Sequence, residues 1–238
     1  MTDQNLVIQK FCTKPQNFAW FLGAGASRSS GLPTANDIIW DLKKRHYCRE
    51  EGQEIQRQDL QNQAVKDKIQ SFMDSIGFPT IWSDEEYSTY FDRIFSGDKE
   101  LQRRYLNGIL AEDKASLSLG NRVLGALMGE GLTEAVFTTN FDSIVEKAVA
   151  EVSGKSVSAY HLEGSQAANN ALNNGEFPFY CKLHGDFRYD SLKNLSEDLA
   201  QQNIELTKSF LNAGNRYGFI VAGYSGRDES VMELFREV

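Results

Sequence analysis

The chain has 238 residues, with 25 Lys plus Arg and 33 Asp plus Glu, giving a formal net charge of −8. Nucleic-acid affinity depends on a basic face that neutralises phosphates, so this acidic balance disfavours direct binding of DNA or RNA. A chain of this length can bury a substantial core and fits one large domain, or a core with an inserted lobe.

The ends and the cysteines of the chain restrict its location. The amino terminus lacks the basic start and apolar stretch of a secretion signal. No run approaches the ~20 apolar residues that a membrane helix needs. The three cysteines, Cys12, Cys48 and Cys181, are far apart and include no CxxC pair, which favours a reducing compartment without disulfides or structural zinc. We therefore predict a cytoplasmic protein with no membrane association and no zinc.

The first predicted elements surround a glycine-rich loop. A short helix over residues 3–13 leads into an unbroken apolar run, Phe18 to Leu22, which is typical of a strand buried on both faces. The loop that follows opens with GAGAS. Helical spacing then begins at Thr34 and continues to Tyr47, with Thr34 as the expected cap and Asp37 adding negative charge to the first turn.

Residues 49 to about 130 form a polar, charged stretch with little strand character. Ser83 and Glu86 have the spacing of a capping box, and helical character continues through residues 121–129. We interpret residues 49–130 as a helical insertion that covers one side of a ligand pocket.

Strand character returns three times, at residues 134–138, 177–183 and 218–222, and a helix is predicted over residues 143–152. Alternating strands and helices favour an α/β fold, a Rossmann-like doubly wound parallel sheet. The last helix begins near Asp228, and its apolar periodicity reaches Val238 without a stop signal. We therefore expect a further carboxyl-terminal segment beyond this chain.

Each of the four predicted strands is followed by a polar or glycine-rich loop, at the sheet edge where such folds bind ligands. The first, GAGAS at residues 23–27, fits either a diphosphate loop or an ordinary tight turn. In the second, TTNFD, Asp142 fits either a ligand contact or a cap for the helix at Ser143. Capping does not explain Asn140, whose side chain is suited to a ribose hydroxyl or a water.

The third and fourth loops, KLHGD and GYSGRD, are also open to two interpretations. His184 lies where a predicted strand ends in a glycine, and a neutral imidazole there can take a proton near neutral pH. We assign His46 and His161 no chemistry. Gly223 and Ser225 fit either a ribose or phosphate contact or a plain turn in which Asp228 caps the last helix.

Together and in this order, GAGAS with SGLP, TTNFD, KLHG and GYS resemble the dinucleotide site of the sirtuin family, whose motifs have the form GAGxS with G-[IL]-P, TQNxD, HG and G-[ST]-S. The resemblance spans residues 18–230 and leaves the helical insertion unmatched. It implies one sirtuin-like NAD-binding catalytic domain over residues 1–238, which cleaves the bond between nicotinamide and ribose in NAD.

The resemblance also implies roles for individual residues. His184 becomes the catalytic base, and Asn140 with Asp142 holds the nicotinamide ribose and the incoming nucleophile. The glycine loop would contact the diphosphate through Gly23, Ala24, Gly25 and Ser27. The fourth loop would contact the adenosine side through Gly223 and Ser225, and Thr139, next to Asn140, would be a further NAD-binding residue.

The departures from the family decide between its activities. The deacylases of the family have Asp-Phe-Arg where this chain has Thr34, Ala35 and Asn36, and Gln where it has Thr139. They also carry a four-cysteine zinc module, which three isolated cysteines cannot supply. We therefore predict an NAD hydrolase (NADase, an NAD+ glycohydrolase) that uses water as acceptor. The alternatives are an NAD-dependent protein deacylase and a non-catalytic NAD or ADP-ribose sensor.

Many of the zinc-free sirtuin-like proteins that the chain resembles are bacterial anti-phage defence effectors that deplete NAD in abortive infection. That resemblance implies regulation and a homo-oligomer. It also suggests a second defence protein as a candidate partner, such as an ATPase or translocase or an Argonaute-like sensor.

Overall fold

The structure is a computed structural model that describes residues 4–83, 85–111, 115–161, 165–184 and 204–238. No helix in these ranges is both long enough and apolar enough to cross a membrane.

The centre of the molecule is a five-stranded, all-parallel sheet with the strand order β3-β4-β2-β1-β5. The strands are β1 Phe18–Leu22, β2 Ala135–Thr138, β3 Ala159–Tyr160, β4 Phe179–Lys182 and β5 Gly218–Ala222. The predicted α/β, Rossmann-like class is confirmed. The bounds of β1 and β5 are those predicted, whereas β3 was missed because two residues carry no periodic signal.

Helices account for most of the remaining described chain. In order they are α1 Gln4–Thr13, α2 Gly25–Arg28, α3 Ala35–Glu51, α4 Gln63–Ser75, α5 Glu86–Phe95, α6 Lys99–Ile109, α7 Leu119–Gly129, α8 Ile144–Ser153, α9 Ser165–Asn174, α10 Ile204–Gly214 and α11 Glu229–Glu237.

Both faces of the sheet are buried, because successive side chains of a strand point to opposite sides. Phe21 of β1 and Phe137 of β2 pack on one face with helices α9 to α11, including Phe210. Their neighbours Leu22 and Val136 pack on the other face against α7 and α8. Full burial of a side chain of this size contributes roughly 1.5–3 kcal/mol, so both layers stabilise the sheet.

A separate apolar cluster holds helices α3 to α6 together, and we call this part the helical lobe. Its centre includes Leu42 from α3, Ile69 from α4, Tyr90 from α5 and Leu106 from α6. The insertion bounds of 49 and about 130 stay a prediction. Within the described chain, α3 already belongs to the lobe's cluster, whereas α7 packs on α8 beside the sheet.

The two predicted helix caps have opposite outcomes. The cap on α3 is confirmed: the Asp37 N–H donates to the Thr34 hydroxyl, and the Thr34 N–H donates back to the Asp37 carboxylate. The capping box at Ser83 and Glu86 is wrong, because α5 begins at Glu86 itself. The Glu86 carboxylate instead accepts hydrogen bonds from the buried Lys43 ammonium and the Trp82 N–H.

The strand register sets the position of the four loops. Thr138 at the end of β2 pairs with Leu22 and with Lys182, and Leu22 pairs with Ala222. The last residues of four adjacent strands therefore form one row, and the loops after them emerge side by side at the carboxyl edge of the sheet.

Candidate functional site

The loops after β1, β2, β4 and β5 line one cavity of about 600 Å³. We call their side the strand-end wall. Its lining residues are Ala24 and Gly25, Thr139 to Asp142, His184, Gly223 to Ser225, and Arg227 to Ser230. The opposite side, the helical wall, consists of Ile38, Ile39, Trp82, Glu85, Tyr87, Ser88 and Leu110, with the Pro33–Asn36 turn at its edge.

The glycine loop packs directly against the fourth loop, backbone to backbone. A Cβ added at Gly25 would lie 2.8 Å from the Gly223 carbonyl oxygen, and one at Gly23 would lie 2.5 Å from the Tyr224 Cα. Gly223 has a φ of +67°, and a Cβ there would lie 2.1 Å from the Ala26 nitrogen. These glycines are required by the contact between the two loops, whatever ligand the loops hold.

Most N–H groups of the glycine loop already have acceptors within the protein. The Gly23 and Gly25 N–H groups donate to the carbonyls of Ala222 and Gly223, and those of Ala26 and Ser27 donate to carbonyls within the loop. The loop therefore offers a ligand close approach to the backbone at Ala24 and Gly25, and few free donors.

Asn140, in the loop after β2, is fixed from behind by the glycine loop. Its Nδ2 donates to the Gly23 carbonyl at 3.0 Å and to the Ser27 hydroxyl at 3.1 Å. The Gly23 carbonyl can only accept, which settles the orientation of the amide. Gly23 and Ser27 thus lie behind the cavity wall, each bonded to Asn140.

The Asn140 Oδ1 is buried and accepts no hydrogen bond from the described part of the chain. The residue lines the cavity with only 8% of its surface exposed. An orphaned buried acceptor is costly, and a ligand hydroxyl or a water would satisfy it.

Asp142 lies next to the start of α8 and also lines the cavity, but the cap residue of that helix is Ser143. The Asp142 carboxylate accepts a hydrogen bond from the Ile144 N–H at 3.0 Å, at the start of α8. Its main-chain carbonyl accepts one from Lys182 Nζ at 2.6 Å, which anchors the loop after β2 to β4. Thr139 lies in the same lining segment.

His184, after β4, forms a pair that the sequence analysis did not predict. Its Nε2 lies 3.0 Å from the Asp228 carboxylate, which extends from the loop after β5. An ionised carboxylate only accepts, so Nε2 carries the proton, and in the neutral ring Nδ1 keeps a free lone pair. Gly185 and Asp186 of the same motif lie outside the described residues.

Asp228 is itself held in place at the start of α11. It accepts hydrogen bonds from the Ser230 hydroxyl and from the N–H groups of Ser230 and Val231. Burial tends to raise the pKa of Asp228, but the hydrogen bonds from His184, Ser230 and Val231 outweigh burial and hold that pKa below its ordinary value. The predicted cap is confirmed, and the same carboxylate orients His184.

The helical wall contributes an ion network that the sequence analysis missed. The Glu86 carboxylate lies 2.5 Å from Lys43 Nζ and 2.6 Å from Nη2 of Arg227, a residue of the fourth loop. The Arg227 guanidinium lies 4.6 Å from the centre of the Trp82 ring. A polar insertion gives no sign of which glutamate will meet a buried lysine, so the sequence does not predict this network.

The charges around the cavity are mostly negative. The lining includes four carboxylates, those of Glu85, Asp142, Asp228 and Glu229. Among the described residues, Arg227 is the only lysine or arginine side chain in the lining. The described chain contains no group of three or more His, Cys, Asp and Glu side chains that could hold a metal ion. His46 and His161 lie outside the lining.

Residues 134–238 match a family model described as a SIR2-like domain. The match begins at β2 and includes the second, third and fourth loops, while the glycine loop and the helical lobe precede it. It supports a sirtuin-like domain and indicates NAD binding and an NAD-related activity in general. No curated protein matches the chain.

Proposed function

We propose that the protein hydrolyses the nicotinamide–ribose bond of NAD to give nicotinamide and ADP-ribose. One observation carries the proposal: His184 and Asn140, from the loops after neighbouring strands, line the same cavity as the glycine loop and the loop after β5. A base, an amide acceptor and the two loops that the resemblance assigns to the dinucleotide thus converge on a single space.

In the proposed reaction the bond between the ribose C1′ and the nicotinamide nitrogen breaks, and its electron pair leaves with nicotinamide. A water oxygen bonds to C1′, and the water proton passes to His184. Because Nε2–H is directed at Asp228, Nδ1 is the nitrogen left to take that proton. Asp228 then faces a cationic ring and stabilises it. We propose Asp228 as a positioning residue for this step.

Asn140 is proposed to orient the ribose or the attacking water through its Oδ1. The amide is rigid, since Nδ2 is bonded to both Gly23 and Ser27, and the unused acceptor suits a hydroxyl donor. Holding reactants in a reactive geometry lowers the barrier without a new chemical group. Gly23 and Ser27 therefore contribute through Asn140, while Ala24 and Gly25 approach the diphosphate.

The remaining proposed contacts lie on the same wall. Gly223 and Ser225 would meet the adenosine side, and Thr139 and Asp142 would lie near the nicotinamide ribose. All four line the cavity.

Water is the proposed acceptor because the residues typical of the acyl-lysine enzymes are absent from the first and second motifs. The Thr34 hydroxyl is bonded to the Asp37 carboxylate at the start of α3, so it serves the helix. Asn36 lines the cavity where the deacylases of the family have arginine.

The biological setting is a proposal from the resemblance: a cytoplasmic bacterial anti-phage effector that is normally restrained, homo-oligomeric and controlled by a second defence protein.

The test is to incubate the full-length protein, together with its natural partner, with NAD alone and to measure released nicotinamide. We expect nicotinamide and ADP-ribose in equal amounts without any peptide. Release that depends on an added acyl-lysine peptide would identify a deacylase. NAD binding without release under both conditions would identify a sensor.

A further inference from the structure

We infer that Arg227 forms a phosphate-binding subsite in the cavity and holds a phosphate of the dinucleotide through its guanidinium edge. The identity of the ligand rests on the proposed function. The subsite itself rests on charge, on unused donors and on the position of Arg227 between the two walls.

The charge around the cavity favours such a group, although Glu229 is already paired with Arg236. A dinucleotide brings two phosphate charges into a space lined by four carboxylates, and Arg227 is the one lysine or arginine lining it in the described chain. The N–H groups of Gly23, Gly25, Ala26 and Ser27, which would otherwise offset those charges, already donate to protein carbonyls. Like charges without compensation raise the cost of binding steeply in a partly buried site.

Arg227 has donors available for this contact. Its Nη2 donates to Glu86 at 2.6 Å and to the Ser83 carbonyl at 3.4 Å. Its Nε and Nη1 donate to no group in the described part of the chain, although the guanidinium side chain is only 21% exposed. A guanidinium fork is the geometry that binds phosphate oxygens in pairs.

Glu86 keeps its charge compensated when Arg227 contacts a ligand. The Lys43 ammonium lies 2.5 Å from Oε1 of Glu86, and the Trp82 N–H donates at 3.0 Å to Oε2, the oxygen that Arg227 also contacts. Lys43 also donates to Gln70, which is bonded in turn to Asp74. The network thus retains one cation for Glu86 and leaves Arg227 for a phosphate.

Trp82 contacts the arginine from one side. The guanidinium carbon of Arg227 lies 4.6 Å from the centre of the Trp82 ring, and the Trp82 backbone has the left-handed φ of +72°. A cation–π contact of this kind restricts the rotamers of the arginine, so binding has fewer of them to freeze.

A purely structural clamp between the fourth loop and the helical lobe is the competing explanation. Arg227→Gln would then lower stability and weaken every ligand equally. A phosphate subsite instead predicts a loss confined to ligands that carry phosphate.

The experiment measures, in the full chain, the Kd of ADP-ribose, of adenosine and of inorganic pyrophosphate for the wild type and for Arg227→Gln. Arg93→Gln is the matched control, because Arg93 also stacks on an aromatic ring and donates to a main-chain carbonyl, but lies outside the cavity lining. Arg227→Lys retains the charge without the fork.

We expect Arg227→Gln to weaken ADP-ribose and pyrophosphate roughly 10- to 100-fold, the range for a hydrogen bond to a charged group, with adenosine unchanged. Arg227→Lys should recover part of the loss, and Arg93→Gln should bind like the wild type. Equal losses for adenosine and ADP-ribose, or no loss, would overturn the subsite.

The two proposals can fail separately. A wild type that binds pyrophosphate through Arg227 but neither NAD nor ADP-ribose would retain the subsite and remove the proposed function. A wild type that binds ADP-ribose with the same affinity as Arg227→Gln would remove the subsite and retain the proposed function.

Discussion

The two walls of the cavity are built in different ways. The strand-end wall is formed by main-chain geometry. Its four loops follow strands that are in register, and Gly23, Gly25 and Gly223 allow two of these loops to contact each other. The helical wall is held by side chains behind it, where Glu86 of α5 lies between Lys43 of α3 and Arg227 of the fourth loop. One wall therefore depends on the absence of a Cβ, and the other depends on the pairing of buried charges.

This difference determines how each wall should fail. A backbone contact cannot adjust to an added carbon, because main-chain atoms on both sides are fixed by the sheet. A buried charge network responds instead to the loss of a partner and to pH, because an unpaired ion inside a protein is costly.

The largest effect is expected on the helical wall, from Glu86→Gln. The change leaves Lys43, which is fully buried, without its carboxylate, and breaking such a pair costs about 3–5 kcal/mol in the free energy of unfolding. Urea denaturation measures the loss. The double variant Lys43→Met with Glu86→Gln should be more stable than Glu86→Gln alone.

The loss in Glu86→Gln should shrink as pH rises. Burial, opposed by Glu86, lowers the pKa of Lys43 below its ordinary value of 10.5. Without Glu86 the folded pKa of Lys43 falls further, so between the variant's pKa and that of the wild type the folded variant has released its proton and the folded wild type has not. Over this range the free energy of unfolding of the variant rises with pH relative to that of the wild type, and the loss shrinks. A loss that stays constant from neutral pH up to the wild-type pKa of Lys43 would contradict an unpaired Lys43.

On the strand-end wall we expect Gly223→Ala to cost roughly 3 kcal/mol or more, from left-handed strain plus the overlap with Ala26. Gly226→Ala is the matched control in the same loop. Its φ is also positive, at +73°, but among the described residues the added Cβ would meet only Met232 Sδ, at 3.5 Å. Strain alone should cost about 1 kcal/mol there. Equal losses in the two variants would show that the loops do not depend on close approach.

Asp228→Asn tests the pair at the edge of the strand-end wall. Asparagine caps helices as well as aspartate, so α11 should survive. Its amide would donate to Nε2 and move the ring proton to Nδ1, lowering turnover by roughly 10²-fold with less effect on KM. ¹⁵N NMR of the His184 ring reports the tautomer directly. A changed KM with an unchanged tautomer would leave Asp228 only a structural role.

Asp228→Asn should also change the acid stability of the protein. Because the folded pKa of Asp228 lies below its ordinary value of 3.8, its contribution to stability is complete above that value and is lost as pH falls below it. The difference in free energy of unfolding between wild type and variant should therefore disappear in acid.

The smallest effect contrasts the confirmed cap with the wrong one. Thr34→Ala removes the cap of α3 and should cost about 1 kcal/mol. Ser83→Ala should cost nothing, since the Ser83 hydroxyl is buried without a hydrogen-bond partner in the described chain. Thermal unfolding of both variants is sufficient to compare them.

The strand-end wall could be predicted from the sequence because each of its loops follows an apolar run. The bounds of β1 and β5 and the caps at Thr34 and Asp228 came from local patterns. Parallel strands end at one edge, so the proximity of Asn140 and His184 followed from the fold class.

The helical wall could not be predicted in the same way. The Glu86–Arg227 ion pair joins residues 141 positions apart in the sequence, and no local spacing encodes it. The His184–Asp228 pair was missed for the same reason, although both residues had been named separately, His184 as a base and Asp228 as a cap. Long-range pairing of charges depends on packing, which short motifs do not report.

The most direct measurement is the rate of nicotinamide release from NAD alone by the full-length wild type, His184→Ala and Asn140→Ala, with His46→Ala as the histidine control outside the cavity. The account predicts that His184→Ala and Asn140→Ala each slow release by about 10²–10⁴-fold with a much smaller change in NAD affinity, while His46→Ala matches the wild type. Release by His184→Ala at the rate of the control would contradict it.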